Sequence, residues 1–110
     1  MGKTEKEGVD RRAVAIKAVF TILDRWGIPK EDRLPLLHIA SMDELNTLPL
    51  EKLVVFVTIH RYALGLLGED RAYLWMTNPN RDFDGKTPAE HCIENEGGAH
   101  EVESYLARFV

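Results

Sequence analysis

Cysteine is almost missing from this chain: Cys92 is the only one, so neither an internal disulfide nor a cysteine-based zinc site can be built. That usage suits a reducing compartment, and the cytoplasm is the expected setting. No apolar run approaches the roughly 20 residues that a membrane span requires. The opening MGKTEKEGVDRR is polar and charged, so neither a signal peptide nor a membrane anchor is expected. Basic charge is also short. Lys plus Arg number 14 against 18 Asp plus Glu, a formal net charge of −4, which argues against a protein that lives mainly by gripping phosphate backbones. Strand-like alternation, internal repeats and low-complexity tracts are lacking as well. So is a phosphate-binding loop, because Gly97-Gly98 has no preceding strand and no following Lys-Ser/Thr. No cofactor and no metal site is expected.

What is there is a chain of 110 residues, 45% apolar and 29% charged, which makes one compact domain burying roughly two-thirds of its unfolded surface. The spacing predicts an all-α fold of six or seven helices. Asp10 caps the first, whose Val14, Ala15, Ala18, Val19, Ile22, Leu23 and Trp26 recur at three- and four-residue steps on the predicted inner face; Gly27 ends it. Pro29 is placed as the first residue of a second helix running through Leu34, Leu37 and His38, with Pro35 limiting its regularity. Ser41 and Glu44 form a capping-box pattern before a brief helix over Met42, Leu45 and Leu48. The stretch LEKLVVFVTIHRYALGLL, residues 50–67, is too long for an ordinary strand and predicts a central helix buried on most sides. Its β-branched residues each weaken helix propensity by a few tenths of a kcal/mol. Burial, worth about 1.5–3 kcal/mol per side chain, outweighs that. Gly68 breaks it, Glu69-Asp70 open a helix carrying Ala72, Leu74, Trp75 and Met76, and TNPNRDFDG is turn chemistry throughout. Thr87-Pro88 start a helix to about Asn95, and Gly97-Gly98 separate it from a last helix ending in Tyr105, Leu106, Phe109 and Val110.

The histidines have no metal-ligand spacing and read as surface or packing groups, and Cys92, in an apolar helix, reads as an inert thiol. No enzyme is expected. Pro29–Ile39 and Met42–Leu48 can form a helix-turn-helix, with charge for DNA supplied by Arg11, Arg12 and Lys17 of the first helix. Met42, Asp43, Glu44, Asn46 and Thr47 make an electrostatically poor reader, so a DNA-binding (auto)repressor is the alternative rather than the leading reading. Trp75 is assigned to the core. From Thr87 through Ala107 there is no Lys or Arg, while Glu90, Glu94, Glu96, Glu101 and Glu103 all fall there, which favours a cationic partner. Phe109 and Val110 place large apolar groups where a domain normally frays, as if to plug into that partner.

The segment AYLWMTNPNRDFDGKTPAEHCIENEGGAHEVESYLARF resembles the toxin-binding domain of the MbcA/ParS/Xre antitoxin family. Ala72 and Trp75 three apart, Pro79-Asn80, Gly85, Thr87-Pro88 and a closing helix with Val102 and Leu106 carry the resemblance. Upstream, ILDRWGIPKEDRLPLLHIAS is similar to the family's degenerate Xre-like helix-turn-helix. Met42, Asp43 and Glu44 stand where DNA-reading members carry basic or small polar residues, and the usual Gly after Leu37 is absent. The resemblance implies a degenerate helix-turn-helix and dimerisation region over 1–67 and a toxin-binding region over 68–110. It implies a type II antitoxin, acting as a homodimer without membrane attachment, whose partner is a RES-domain toxin that consumes NAD and whose active site the C-terminal helices and tail cover. On that basis Glu90, Glu94, Glu101 and Glu103 are expected to steer the approach to a cationic, diphosphate-binding pocket. Tyr105 and Phe109 would act as anchors, and Arg108 and the Val110 carboxylate would reach the pocket. A chain lacking Tyr105–Val110 is then expected to fold without neutralising.

Overall fold

In the computed structural model, which describes residues 10–110, the local signals act largely as the sequence predicts. Asp10 accepts a hydrogen bond from the Arg12 N–H at 2.9 Å and opens α1, Arg11–Trp26. Gly27 ends it in the left-handed region at φ 74°, where the N–H groups of Gly27 and Ile28 donate to the carbonyls of Asp24 and Leu23. Pro29 caps α2, Lys30–Leu37, from one position outside rather than serving as its first residue, and Pro35 sits inside the helix two residues before its end.

Sequence reading carries α2 through His38, but that residue takes the left-handed position at φ 57° that glycine normally fills. Such a conformation costs about 1–2 kcal/mol for an L-residue. Here the ring offsets it: Nε2–H donates to the Cys92 carbonyl at 2.7 Å, tying the end of α2 to a helix 54 residues further on.

The next element is a correction in kind. Met42–Asn46 is a single 3-10 helix, with the Glu44 carboxylate accepting from the N–H groups of Ala40 (2.8 Å) and Ser41 (3.2 Å) as its cap. Only Leu45 of this element is buried, so it has too little apolar surface to hold a longer helix against the core.

Glu51–Leu67 forms α3, the axis of the fold, packed against α1, against α4 (Glu69–Trp75) and against α6 (Gly98–Ala107). Its Leu53, Val55, Phe56, Ile59 and Ala63 are buried, but Val54 and Leu66 are exposed, so one side of the helix is open where burial on most sides is expected from sequence. Helix α5, Pro88–Glu94, lies against α2 and α6. A second 3-10 helix, Arg81–Phe83, is capped by Asn80, whose side chain accepts from the Asp82 N–H at 2.8 Å. The described residues thus contain six α-helices, two 3-10 helices and no strand, around one core running from Val19 to Leu106. None of the helices is long and apolar enough to cross a membrane. Val14, placed on the inner face by periodicity, is 55% exposed.

Candidate partner-binding surface

The C-terminal surface is built on two local devices. Thr87 Oγ1 accepts from the Glu90 N–H at 2.9 Å while the Thr87 N–H donates to Glu90 Oε1 at 2.8 Å, a reciprocal cap that starts α5. Gly98 then lets α6 lie against α5. A Cβ at this position would stand 2.6 Å from the His91 carbonyl oxygen and 2.8 Å from Cys92 Cα, both backbone atoms that cannot swing away.

With the seam closed, the acidic residues pair within their own chain. Glu90 is committed to its cap, Glu94 meets Lys86, Glu101 Oε1 lies 2.6 Å from His91 Nε2, and Glu103 Oε1 lies 3.7 Å from His100 Nδ1. The Glu94 carboxylate raises the Lys86 ammonium above its ordinary value, first by hydrogen bonding and then by its charge. Exposed pairs of this kind add little stability, so these groups are surface charge rather than structure. Cys92, on α5, is buried and its thiol is pushed up to about 12 by burial, with the Glu101 charge adding to the shift. A thiol so held is not a nucleophile near neutral pH.

Around Tyr105 four chain segments meet. The ring stacks on Trp75 (centroids 6.1 Å apart, planes 18° apart), leans on Phe83 at 5.2 Å and receives the edge of Phe109 at 5.3 Å. The Tyr105 hydroxyl donates to Asp82 at 2.6 Å, which raises its pKa above the ordinary value by stabilising the protonated form, with burial as a lesser cause. The guanidinium of Arg108 lies over the same ring at 5.5 Å. Asp82, Phe83, His91, Glu101, Tyr105 and Phe109 together line an open groove.

Of the anchors read from sequence, Phe109 is 60% exposed and Val110 74%, whereas Tyr105 is half-buried and supports them. Leu106 is 3% exposed and part of the core. A truncation that spares the fold therefore has to begin after Ala107, not at Tyr105. Trp75, Asp82, Phe83 and His91 were not legible as site residues. Trp75 reads as core in AYLWM, and nothing local says that the turn bearing Asp82 and Phe83 folds back onto α6.

The basic residues of α1 are scattered in role. Arg12 Nη1 donates to the carbonyls of Leu45 (3.0 Å) and Leu48, closing the 3-10 segment, while Arg11 and Lys17 are exposed. Arg11 borders a hollow of almost wholly apolar lining formed by Val14, Ala15 and Ala18 of α1 with Leu50, Val54 and Val57 at the start of α3.

Residues 64–109 match the antitoxin Xre/MbcA/ParS C-terminal toxin-binding domain. The matched segment begins in the last turn of α3 and takes in α4, α5, α6 and the tail as far as Phe109, hence the whole aromatic cluster. The match supports an antitoxin role for the chain, with a toxin as its partner. No curated protein and no solved structure gives a significant match.

Proposed function

We propose that this protein is the antitoxin of a type II pair and neutralises a RES-domain, NAD-consuming toxin by laying α6 and the tail over its active site. The observation that carries the reading is Phe109: a large apolar side chain, 60% exposed, held on the Tyr105 ring at the end of α6, within the matched toxin-binding segment. An aromatic group set outward on a rigid support is the kind of anchor that dominates binding energy. The exposed Glu94 and Glu101, with Glu90 and Glu103 beside them, steer the approach to a pocket that must be cationic to hold a dinucleotide diphosphate, while Arg108 and Val110 enter with Phe109. Region 1–67 serves as the dimerisation part, two copies meeting through the apolar hollow between α1 and α3, and 68–110 as the toxin-binding part. The cytoplasm is the setting and the protein performs no catalysis itself. The DNA-binding alternative gains nothing from the geometry: Arg12 is occupied by two carbonyls, and Asp43 and Glu44 stand on the would-be reader.

The test is co-expression with a tagged RES-domain protein encoded beside this gene, following NAD loss with and without the antitoxin. A stable complex with NAD loss suppressed is expected. Free NAD consumption in the presence of excess antitoxin would overturn the reading.

A further inference from the structure

Besides the groove already described, two hollows flank the aromatic cluster, one of them containing Phe109 and Val110. The first is formed by Arg61, Tyr62, Gly65 and Leu66 of α3 with Phe109 and Val110. The second is formed by Leu67 of α3, Arg71, Leu74 and Trp75 of α4, and Asn78. Their linkage is direct: Leu66 and Leu67 are neighbours on one helix turn, and Trp75 of the second hollow stacks on Tyr105, which in turn carries Phe109 of the first. Apolar surface therefore continues from Val110 across the rings to Leu74.

Leu74 is the odd residue of that stretch. Helix α4 already buries Ala72 and, just beyond its end, Met76 completely, so its inner face is satisfied. Its outer face carries Asp70 and Arg71, both exposed, and then presents Leu74 at 57% exposure. A single exposed leucine is ordinary on a protein surface; Leu74 is informative because it lines one hollow with Leu67 and Trp75 and so extends an apolar patch.

We infer that the toxin covers both hollows at once, with Leu74 as a second anchor on α4 in addition to the tail. The inference rests on the toxin-binding reading above. The occupant that fits is an apolar side chain of the toxin for the hollow, with a carboxylate of the toxin facing Arg71 at its rim. Continuity with the tail surface selects the toxin over a second copy of this chain. The aliphatic hollow suited to self-association lies around Val54, twelve residues from Leu66 along α3, a rise of about 18 Å.

The experiment uses the full chain and the same neighbouring RES-domain protein, with affinity measured by titration calorimetry for wild type, Leu74→Ala, Leu74→Lys and Met42→Lys. Met42 is 53% exposed and lies outside both hollows, so it reports the effect of a surface lysine alone. Expected are a loss of about fivefold or more for Leu74→Ala, about 30-fold for Leu74→Lys and no change for Met42→Lys, with helical circular dichroism retained in all. Wild-type affinity in both Leu74 variants overturns the inference and leaves the tail reading intact. Unchanged affinity with an altered oligomeric state of the Leu74→Lys antitoxin alone also overturns it, assigning the hollow to a second copy. A wild-type chain that binds no such toxin fails at the earlier step, the proposed function itself.

Discussion

At the N-terminal end of α3 the open apolar surface is aliphatic and small, Val14, Ala15, Ala18, Leu50, Val54 and Val57, with almost no polar group among them. Along α6 and the tail it is gathered around aromatic rings and bordered by Asp82, His91, Glu101 and Arg108. The two surfaces differ in what they can recognise. Small aliphatic side chains offer shape, ridges and grooves that suit another helix of the same kind. Rings with fixed hydroxyl and carboxylate partners offer direction as well as area, which suits a partner of different chemistry. That difference is the ground on which self-association is proposed for the first surface and a partner of other chemistry for the second.

The comparison is broken most strongly at the tail. Ending the chain after Ala107 is expected to lower toxin affinity at least about 100-fold, equivalent to about 3 kcal/mol. Thermal unfolding should change little, because Phe109 and Val110 are mostly exposed. Full neutralisation by this truncation would remove the tail from the mechanism. On the opposite surface, Val14→Lys is expected to weaken self-association about 30-fold, near 2 kcal/mol, by burying an unpaired charge in the hollow, and to leave one-to-one toxin affinity as it was. Sedimentation showing the same oligomeric state in both chains would assign the aliphatic hollow some other use.

Beneath the aromatic surface, Gly98→Ala forces α5 and α6 apart and is expected to cost about 1–2 kcal/mol, read as a melting temperature lower by about 5–10 °C. An unchanged melt would mean that the seam yields freely.

The smallest effect is a pH dependence. His60 stacks on Tyr73 (5.2 Å) and meets the edge of Trp26 (6.1 Å); burial, and then the Arg25 charge, hold its pKa below 6.5. Above 6.5 the ring is neutral whether folded or not and adds no pH dependence. As pH falls below 6.5 the unfolded chain takes up the proton first, so stability drops until the folded-state value is passed and then levels off. Urea midpoints at pH 7.5 and 5.5 should therefore converge in His60→Phe relative to wild type; equal differences in the two chains would exclude this group.

Much of the fold was legible because its signals are local. Asp10, Gly27, Thr87-Pro88 and Gly97-Gly98 act within one turn of themselves, and the structure uses each at the predicted boundary. Periodicity was a weaker guide. It places Val14 and Val19 on one face of α1, but the two stand about 140° apart around the helix; Val19 meets the core, while Val14 borders the open hollow against the start of α3. The site was legible only in part for the same reason. Phe109 and Val110 stand out in sequence as large apolar residues past the last periodic turn, whereas the Trp75–Tyr105 stack and the His91–Glu101 pair join residues 30 and 10 positions apart across turns that carry no message about where they land.

The tail is also already wound. The Arg108, Phe109 and Val110 N–H groups donate back to the Tyr105, Leu106 and Ala107 carbonyls at 3.3, 3.0 and 3.4 Å, continuing the turn beyond α6. Fixing one residue's backbone costs about 1–2 kcal/mol, so a partner meeting three residues already in place is spared most of several kcal/mol of ordering. In kinetic terms, an encounter with this tail would be docking on a formed surface rather than capture by a loose end. Its rate is then governed by orientation and charge, and its duration by how well the rings fit.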